Sequence, residues 1–180
     1  MYSKIGLNIL FLFIVVLFQM AFINNLPWGF SKLNLILITL IFILGLIDFK
    51  FALWWSLGAG FLLDIYSFEL FGIYLVVIIL TIVITNFLLI NFFTNRSLYS
   101  FLILSFLALL IYEIFLQLAF YITNVFSHQY YFRIFELDFW VNVLQAEIYN
   151  LFLVIIVFYA TNFITQKLKP VFLIKNQQKK

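Results

Sequence analysis

Long apolar runs that almost no charge interrupts constrain this sequence more than any other feature. Leu70–Phe93 and Leu98–Phe126 together contain one charged residue, Glu113. Each run exceeds the ~20 apolar residues that a helix needs to cross the hydrocarbon core of a membrane. Only 9% of the chain is charged and 67% is hydrophobic, whereas about 25% of the residues of a soluble domain are charged. The sequence therefore predicts an integral membrane protein and excludes an ordinary soluble domain.

Charged residues and turn formers divide the chain into six apolar segments. We predict an all-α integral membrane protein, a bundle of six transmembrane helices forming a single domain over residues 1–180, with a basic cytoplasmic tail at 170–180. The predicted helices are about 5–23, 33–47, 51–66, 70–93, 98–126 and 140–165. The second and third are short for full crossings, which leaves a re-entrant hairpin as an alternative. The first is too long for the apolar part of a signal peptide and is predicted to be a retained anchor.

The positions of the basic residues predict the orientation of the bundle. With six crossings and the N-terminus inside, eight of the ten Lys and Arg residues fall on the inner side. Only Lys32 and Arg133 fall on the outer side. Because cytoplasmic loops of membrane proteins carry the excess of Lys and Arg, this split favours two cytoplasmic termini.

Several classes of chemistry lack the residues that they need. The chain has no cysteine, which excludes disulfides, thiolate metal sites and a cysteine nucleophile. Its one histidine, His128, lies in the predicted outer loop 127–139 and cannot by itself build a zinc site. A formal charge of +3 is too small to indicate nucleic-acid binding. No phosphate-binding loop or nucleophile elbow occurs, so we predict a protein that is not an enzyme and has no cofactor.

Three carboxylic acids fall inside predicted helices, where a charge costs roughly 2.5–3.5 kcal/mol on insertion scales. They are Asp64, Glu113 and Glu147. Arg133 is the nearest arginine in the outer loop and could pair with one of them. Ser56, Gly60 and Asp64 repeat every four residues and so share one helix face, which Gly58 widens. Such small-residue stripes let helix backbones approach closely in a membrane.

Other polar residues extend this pattern to most of the helices. Glu113 and Gln117 fall on one side of helix five, and Asn150 lies within helix six. On the first helix, Asn8 and Gln19 are about three turns apart and share a face. In one interpretation these side chains make hydrogen bonds between helices, and in the other they line a substrate cavity or a proton path. The first is favoured because the stripes are sparse and mostly uncharged.

The glycine-rich end of the third segment carries a resemblance to a known family. Gly58-Ala59-Gly60-Phe61-Leu62-Leu63-Asp64, followed by Phe71-Gly72-Ile73-Tyr74, resembles the rod shape-determining protein MreD family. That family has a glycine-rich helix ending in Asp, a short turn, and a Leu-Gly pair before the next helix. Leu109-Leu110-Ile111-Tyr112-Glu113 resembles its aromatic-Glu step, and Asn150 matches a small polar position. Ser67-Phe68-Glu69-Leu70 departs from the family's Gly/Pro-rich turn.

The resemblance implies a fold similar to the substrate-binding S-component of energy-coupling-factor transporters. It also implies a non-enzymatic scaffold of the bacterial cell-elongation complex, which supports rod shape and lateral peptidoglycan synthesis. MreC would be the direct partner, and MreB, RodA and a penicillin-binding transpeptidase indirect ones. The candidate partner or helix-packing residues are Ser56, Gly58, Gly60, Asp64, Gly72, Glu113, Gln117, Glu147 and Asn150. The alternative is a substrate-binding membrane subunit of a vitamin transporter, with a polar outer pocket formed by Asp64, Glu147 and loop 127–139.

Overall fold

The computed structural model describes residues 2–27, 29–67, 69–93, 97–125 and 136–177. Within these ranges every regular element is a helix, which confirms the all-α prediction and its six segments. The α-helices are α1 (Tyr2–Ala21), α2 (Leu35–Leu46), α3 (Phe49–Tyr66), α4 (Ile73–Phe92), α5 (Leu98–Val125) and α6 (Leu137–Gln177). Two single-turn 3-10 helices, Ile23–Asn25 and Phe30–Lys32, join α1 to α2.

Four stretches of the described chain are long and apolar enough to cross a membrane. They are Gly6–Asn25, Ile73–Phe92, Leu98–Thr123 and Leu137–Phe163. These four helices make the chain a membrane protein. The α3 helix has 18 residues, or about 27 Å at 1.5 Å per residue, but it carries Lys50 and Asp64 and is not one of these four stretches.

The short helix α2 forms the centre of the bundle. It has only 12 residues, nine of them buried, and packs against all five other α-helices. Its length of about 18 Å is well below the ~30 Å of a bilayer core, so α2 alone is too short for the full crossing that the apolar run 33–47 predicts. Its nearly uniform apolar character reflects burial on all sides, because a helix with no face towards water or polar groups needs no amphipathic pattern.

Two groups of side chains pack around α2. The larger group contains side chains from each of the helices α1, α2, α3, α4 and α5. Its members Ile41, Ile78 and Leu104 are almost completely buried. The smaller group joins α2 to α5 and α6. In it the rings of Phe42 and Phe101 stack with centroids 4.8 Å apart. Together these groups hold α5 and α6 against the central helix.

The last helix begins earlier and ends later than the sequence predicts. The predicted helix was 140–165, whereas α6 runs from Leu137 to Gln177 and passes through Pro170. Residues 170–177 of the predicted tail are therefore helical, and 178–180 lie outside the described residues. The stretch after Thr165 is rich in Gln, Lys and Leu, which are good helix formers, and the helix continues through Pro170 although proline removes one backbone hydrogen bond.

Candidate functional site

Along the predicted small-residue stripe, α3 approaches a neighbouring helix most closely at Gly60, where it packs against α4. Gly60 is buried, and a Cβ atom built on it would lie 2.5 Å from the Cα atom of Leu75. A methyl group cannot occupy that space unless the α4 backbone moves. Gly60 is therefore required for the packing of α3 against α4.

Asp64, one turn after Gly60, binds the first turn of the neighbouring helix. Its two carboxylate oxygens accept hydrogen bonds from the backbone N–H groups of Tyr74 and Leu75, at 2.9 and 3.1 Å. These N–H groups have no acceptor within their own helix because they belong to its first turn. A carboxylate is also stabilised by the positive end of the helix dipole. Asp64, only 3% exposed, therefore caps α4 from outside that helix.

Gly72 completes the same junction at the residue that precedes α4. Its φ angle is 101°, in the left-handed region that glycine adopts without strain. Ser56, two turns before Asp64, is fully buried, and its hydroxyl donates to the Leu53 carbonyl oxygen within α3. The stripe that the sequence predicts for partner or helix packing is therefore used for packing within this chain.

Gly58 faces a different neighbour from Gly60. A Cβ atom on Gly58 would lie 3.0 Å from Cδ1 of Leu12 on α1, which is the tip of a flexible side chain. Gly58 therefore lies at the boundary between α1 and α3, and a substitution there would displace a side chain instead of a backbone. Two glycines of one sequence motif thus have separate roles, one inside the bundle and one at its surface.

An apolar groove of about 600 Å³ runs between α1 and α3 at this surface. We call it the α1/α3 groove. Gly58, Leu12 and Trp55 line it, and Trp54 at its edge is 73% exposed. Asn8 also lines it, although its surroundings are otherwise almost entirely apolar. Among the described residues, no hydrogen-bond partner of the Asn8 amide is found.

A polar network joins the α1–α2 connection to three helices. Gln19 of α1 donates from Nε2 to the Leu33 carbonyl oxygen at 2.7 Å, and its Oε1 accepts from the Leu35 N–H group at 2.9 Å. Asn150 of α6 accepts from the Asn34 N–H group at 2.7 Å. These bonds satisfy backbone groups just before α2 that have no helical partner. Asn150, 2% exposed, thus has an architectural role.

Lys32 links the same connection to α6. Its Nζ atom donates to Asn142 Oδ1 and Gln145 Oε1, both at 2.9 Å, and its carbonyl oxygen accepts from Nδ2 of Asn150 at 3.2 Å. The sequence predicts only that Lys32 lies on the outer side of the bundle. Asn142 and Gln145 lie at positions i and i+3 of α6, and this spacing is the signal that they share a face.

A polar cavity of about 410 Å³ opens beside Lys32. We call it the Lys32 cavity. Glu113 and Gln117 of α5 line it on one side, and Glu136 and Asp138 at the start of α6 line it on the other. A second cavity of about 220 Å³ shares Lys32, Glu113 and Leu116 with it and extends towards Gln19 and Asn34. The structure therefore brings Glu113 and Gln117 together at a cavity, as their shared helix face predicts.

Glu147 lies apart from this cavity lining, inside the bundle. It is 3% exposed, and its Oε2 atom has no hydrogen-bond partner in the described part of the chain. The carboxyl group is close enough to Glu113 for the two to interact electrostatically. Asp64 points instead to α4. Asp64 caps α4 and lines neither of the two cavities beside Lys32. The predicted joint pocket of Asp64, Glu147 and the outer loop stays a prediction, because most of that loop lies outside the described residues.

The other predicted features lie partly beyond what the structure describes. Arg133, His128 and most of loop 127–139 fall outside the described residues, so the predicted pairing of Arg133 with an acid stays a prediction. Within the ranges that are described, no group of three His, Cys, Asp or Glu side chains could hold a metal ion.

Comparison with known proteins gives no assignment. No family model, no curated protein and no solved structure matches the chain. The resemblance to the MreD family and to the S-component fold therefore stays a prediction from the residues quoted above. The α1/α3 groove and the Lys32 cavity are the two surfaces from which a function can be inferred.

Proposed function

We propose that this chain is a non-enzymatic scaffold of the bacterial cell-elongation complex in the cytoplasmic membrane. In this proposal the α1/α3 groove holds the transmembrane helix of MreC. MreB, RodA and a penicillin-binding transpeptidase would be reached indirectly, through MreC. Both termini would be cytoplasmic, in line with the charge bias. In that orientation the groove would lie in the cytoplasmic half of the bilayer, near Lys50.

The observation that carries the proposal is the composition of the α1/α3 groove. Asn8 places an amide among Leu12, Trp54, Trp55 and other apolar groups, within the span Gly6–Asn25. A lipid tail has no group that could accept or donate a hydrogen bond to this amide. A transmembrane helix with a polar side chain can satisfy it, and such bonds are typical of helix association in membranes.

The shape of the groove favours a helix in the same way. Gly58 leaves its floor flat, and small residues allow a second helix backbone to approach closely. Trp54 extends from the edge of the groove and is 73% exposed. A large exposed indole that packs against a partner helix contributes more contact area than any other side chain. Gly60 and Asp64 are unavailable to a partner because they bind α4.

We expect Trp54→Ala and Gly58→Leu each to lower the recovery of co-expressed MreC with the tagged chain at least fivefold. The first change removes the edge of the groove, and the second fills its floor. The measurement is quantitative co-purification from a mild detergent. Each variant should elute as a monodisperse species like the unmodified protein, because neither change touches the α3–α4 junction.

Phe152→Ala on α6 is the matched control. Phe152 is 63% exposed, so this change also removes an exposed aromatic ring, but it lies away from the α1/α3 groove. Recovery of MreC should remain at the level of the unmodified protein. Equal recovery with Trp54→Ala, Gly58→Leu and Phe152→Ala would contradict the proposal that the groove binds MreC.

A second candidate function is the substrate-binding membrane subunit of a vitamin transporter, and the Lys32 cavity is the observation that favours it. A cavity of about 410 Å³ lies within the 300–1,000 Å³ range that is typical of small-molecule sites. Native mass spectrometry of the purified protein distinguishes the two candidates. A vitamin bound in stoichiometric amount would favour the transporter subunit over the scaffold.

A further inference from the structure

Among the described residues that line the Lys32 cavity, acidic side chains outnumber basic ones. This described lining has three carboxyl groups, those of Glu113, Glu136 and Asp138, and one cation, Lys32. With all four groups in their ordinary charged forms, the described lining has a formal charge of −2. Such a lining attracts positively charged molecules and repels anions.

Lys32 does not neutralise these acids directly. Its ammonium group donates to the neutral side chains of Asn142 and Gln145. In the part of the chain that the structure describes, none of its hydrogen bonds reaches a carboxylate. Glu113 likewise has no hydrogen-bond partner among those residues. The carboxylates that line the cavity therefore keep acceptor capacity for a ligand.

The spacing of the acids favours an organic cation over a metal ion. Among the described residues no three acidic or histidine side chains converge closely enough to hold a metal. An extended organic molecule needs no such convergence. The cavity wall also contains the rings of Phe120 and Phe139 and the side chains of Leu116 and Val143. Aromatic faces attract ammonium groups, and apolar walls favour an apolar body.

We propose that the Lys32 cavity binds a ligand that carries an ammonium group on an apolar body. The ammonium group lies against Glu113 and Gln117, and the body packs against Phe120 and Phe139. A free amine and the ethanolamine headgroup of a membrane lipid share this chemistry. The inference rests on the cavity alone and holds whether or not the α1/α3 groove binds MreC.

The three acids have different roles in this site. Glu113 is half-buried at the wall of the bundle, whereas Glu136 and Asp138 are exposed at the start of α6. An interaction between charges is stronger where less water surrounds it. Salt screens exposed charges more than buried ones. Glu113 is therefore the main contact, and Glu136 and Asp138 increase the local concentration of cations.

Three molecules with the same indole ring test the charge preference. Tryptamine carries an ammonium group, tryptophol a hydroxyl group and indole-3-acetate a carboxylate. We expect the full chain in nanodiscs of phosphatidylglycerol and phosphatidylcholine to bind tryptamine at least tenfold more tightly than tryptophol. Indole-3-acetate should show no saturable binding. The measurement is isothermal titration calorimetry at low and at high salt.

Variants connect this preference to the cavity. Glu113→Gln keeps the size of the side chain and should weaken tryptamine binding at least tenfold. Glu136→Gln combined with Asp138→Asn should weaken it two- to fivefold and reduce its dependence on salt. Glu69→Gln is the control, because Glu69 is exposed in the α3–α4 connection and does not line the cavity.

A lipid arm distinguishes the two sources of the ammonium group. If the lipid headgroup occupies the site, tryptamine should bind more weakly in nanodiscs that contain phosphatidylethanolamine. Native mass spectrometry should then show that the unmodified protein and Glu69→Gln retain this lipid, whereas Glu113→Gln does not. If a free amine is the ligand, tryptamine should bind equally in both nanodiscs. Two results would overturn the proposal. One is equal binding of tryptamine and tryptophol. The other is that Glu113→Gln and Glu69→Gln have equal effects on both tryptamine binding and lipid retention.

Discussion

Gly60→Ala is expected to destabilise the protein by about 1–3 kcal/mol, the range observed when a group is forced into a packed core. The added methyl carbon would lie 2.5 Å from the Leu75 Cα atom. A backbone atom cannot rotate away as a side chain does, so α3 and α4 must separate. The α3–α4 contact and the Asp64 hydrogen bonds would weaken together. The free energy of unfolding, measured by denaturation with sodium dodecyl sulfate in mixed micelles, checks this result.

Two other glycines provide the controls for Gly60→Ala. A Cβ atom on Gly6 of α1 would meet nothing within 4 Å, so Gly6→Ala should leave stability unchanged or raise it slightly, as helix propensity predicts. Gly58→Ala should cost less than Gly60→Ala because only the tip of Leu12 is close. If all three substitutions had the same effect, the close approach at Gly60 would not be what holds α3 to α4.

Asp64→Leu is expected to cost about 2–4 kcal/mol of stability. Hydrogen bonds to charged groups contribute roughly 1.5–3 kcal/mol each, and this change removes two of them together. It also leaves the N–H groups of Tyr74 and Leu75 unsatisfied at a buried helix start. Denaturation should show this change in the free energy of unfolding. In hydrogen exchange, the α3–α4 contact should be the first region to lose protection.

Asp64→Asn and Asp48→Asn complete this test. Asp64→Asn keeps one acceptor oxygen and should cost about half as much as Asp64→Leu. Asp48 precedes α3, is exposed and makes no side-chain cap, so Asp48→Asn should be close to neutral. Stability unchanged by Asp64→Leu would contradict the role of Asp64 as the cap of α4.

Much of the fold could be predicted because apolar runs and helices coincide in this chain. Leu70–Phe93 and Leu98–Phe126 correspond to α4 and α5 within three residues at each end. The apolar run 33–47 does not by itself distinguish a membrane crossing from a helix buried in protein. It is apolar throughout because α2 is surrounded by other helices, and burial in protein and burial in lipid leave the same composition.

The candidate sites could be predicted only in part. Helical spacing correctly predicts that Glu113 and Gln117 share one face. The prediction that Gly58 and Gly60 belong to one patch is wrong. These glycines are two positions apart, about 200° around the helix, so they face different neighbours. The role of Lys32 could not be predicted, because its hydrogen-bond partners Asn142 and Gln145 lie 110 and 113 positions further along the chain.

The two proposed surfaces lie at different ends of the bundle. Asn8 is near the start of α1, and Lys32 follows the end of that helix. Thirteen residues separate Asn8 from Ala21, or about 20 Å along the helix. A substitution in the α1/α3 groove should therefore leave ammonium binding in the Lys32 cavity unchanged. The scaffold function and the ligand site can be tested independently.

Photocrosslinking in cells shows whether the α1/α3 groove holds the transmembrane helix of MreC. The residue p-benzoylphenylalanine would replace Trp54 in one variant and Phe152 in another, in cells that produce both proteins. We expect a crosslink from position 54 to the membrane segment of MreC and none from position 152. A crosslink to MreC from position 152 with none from position 54 would contradict this expectation.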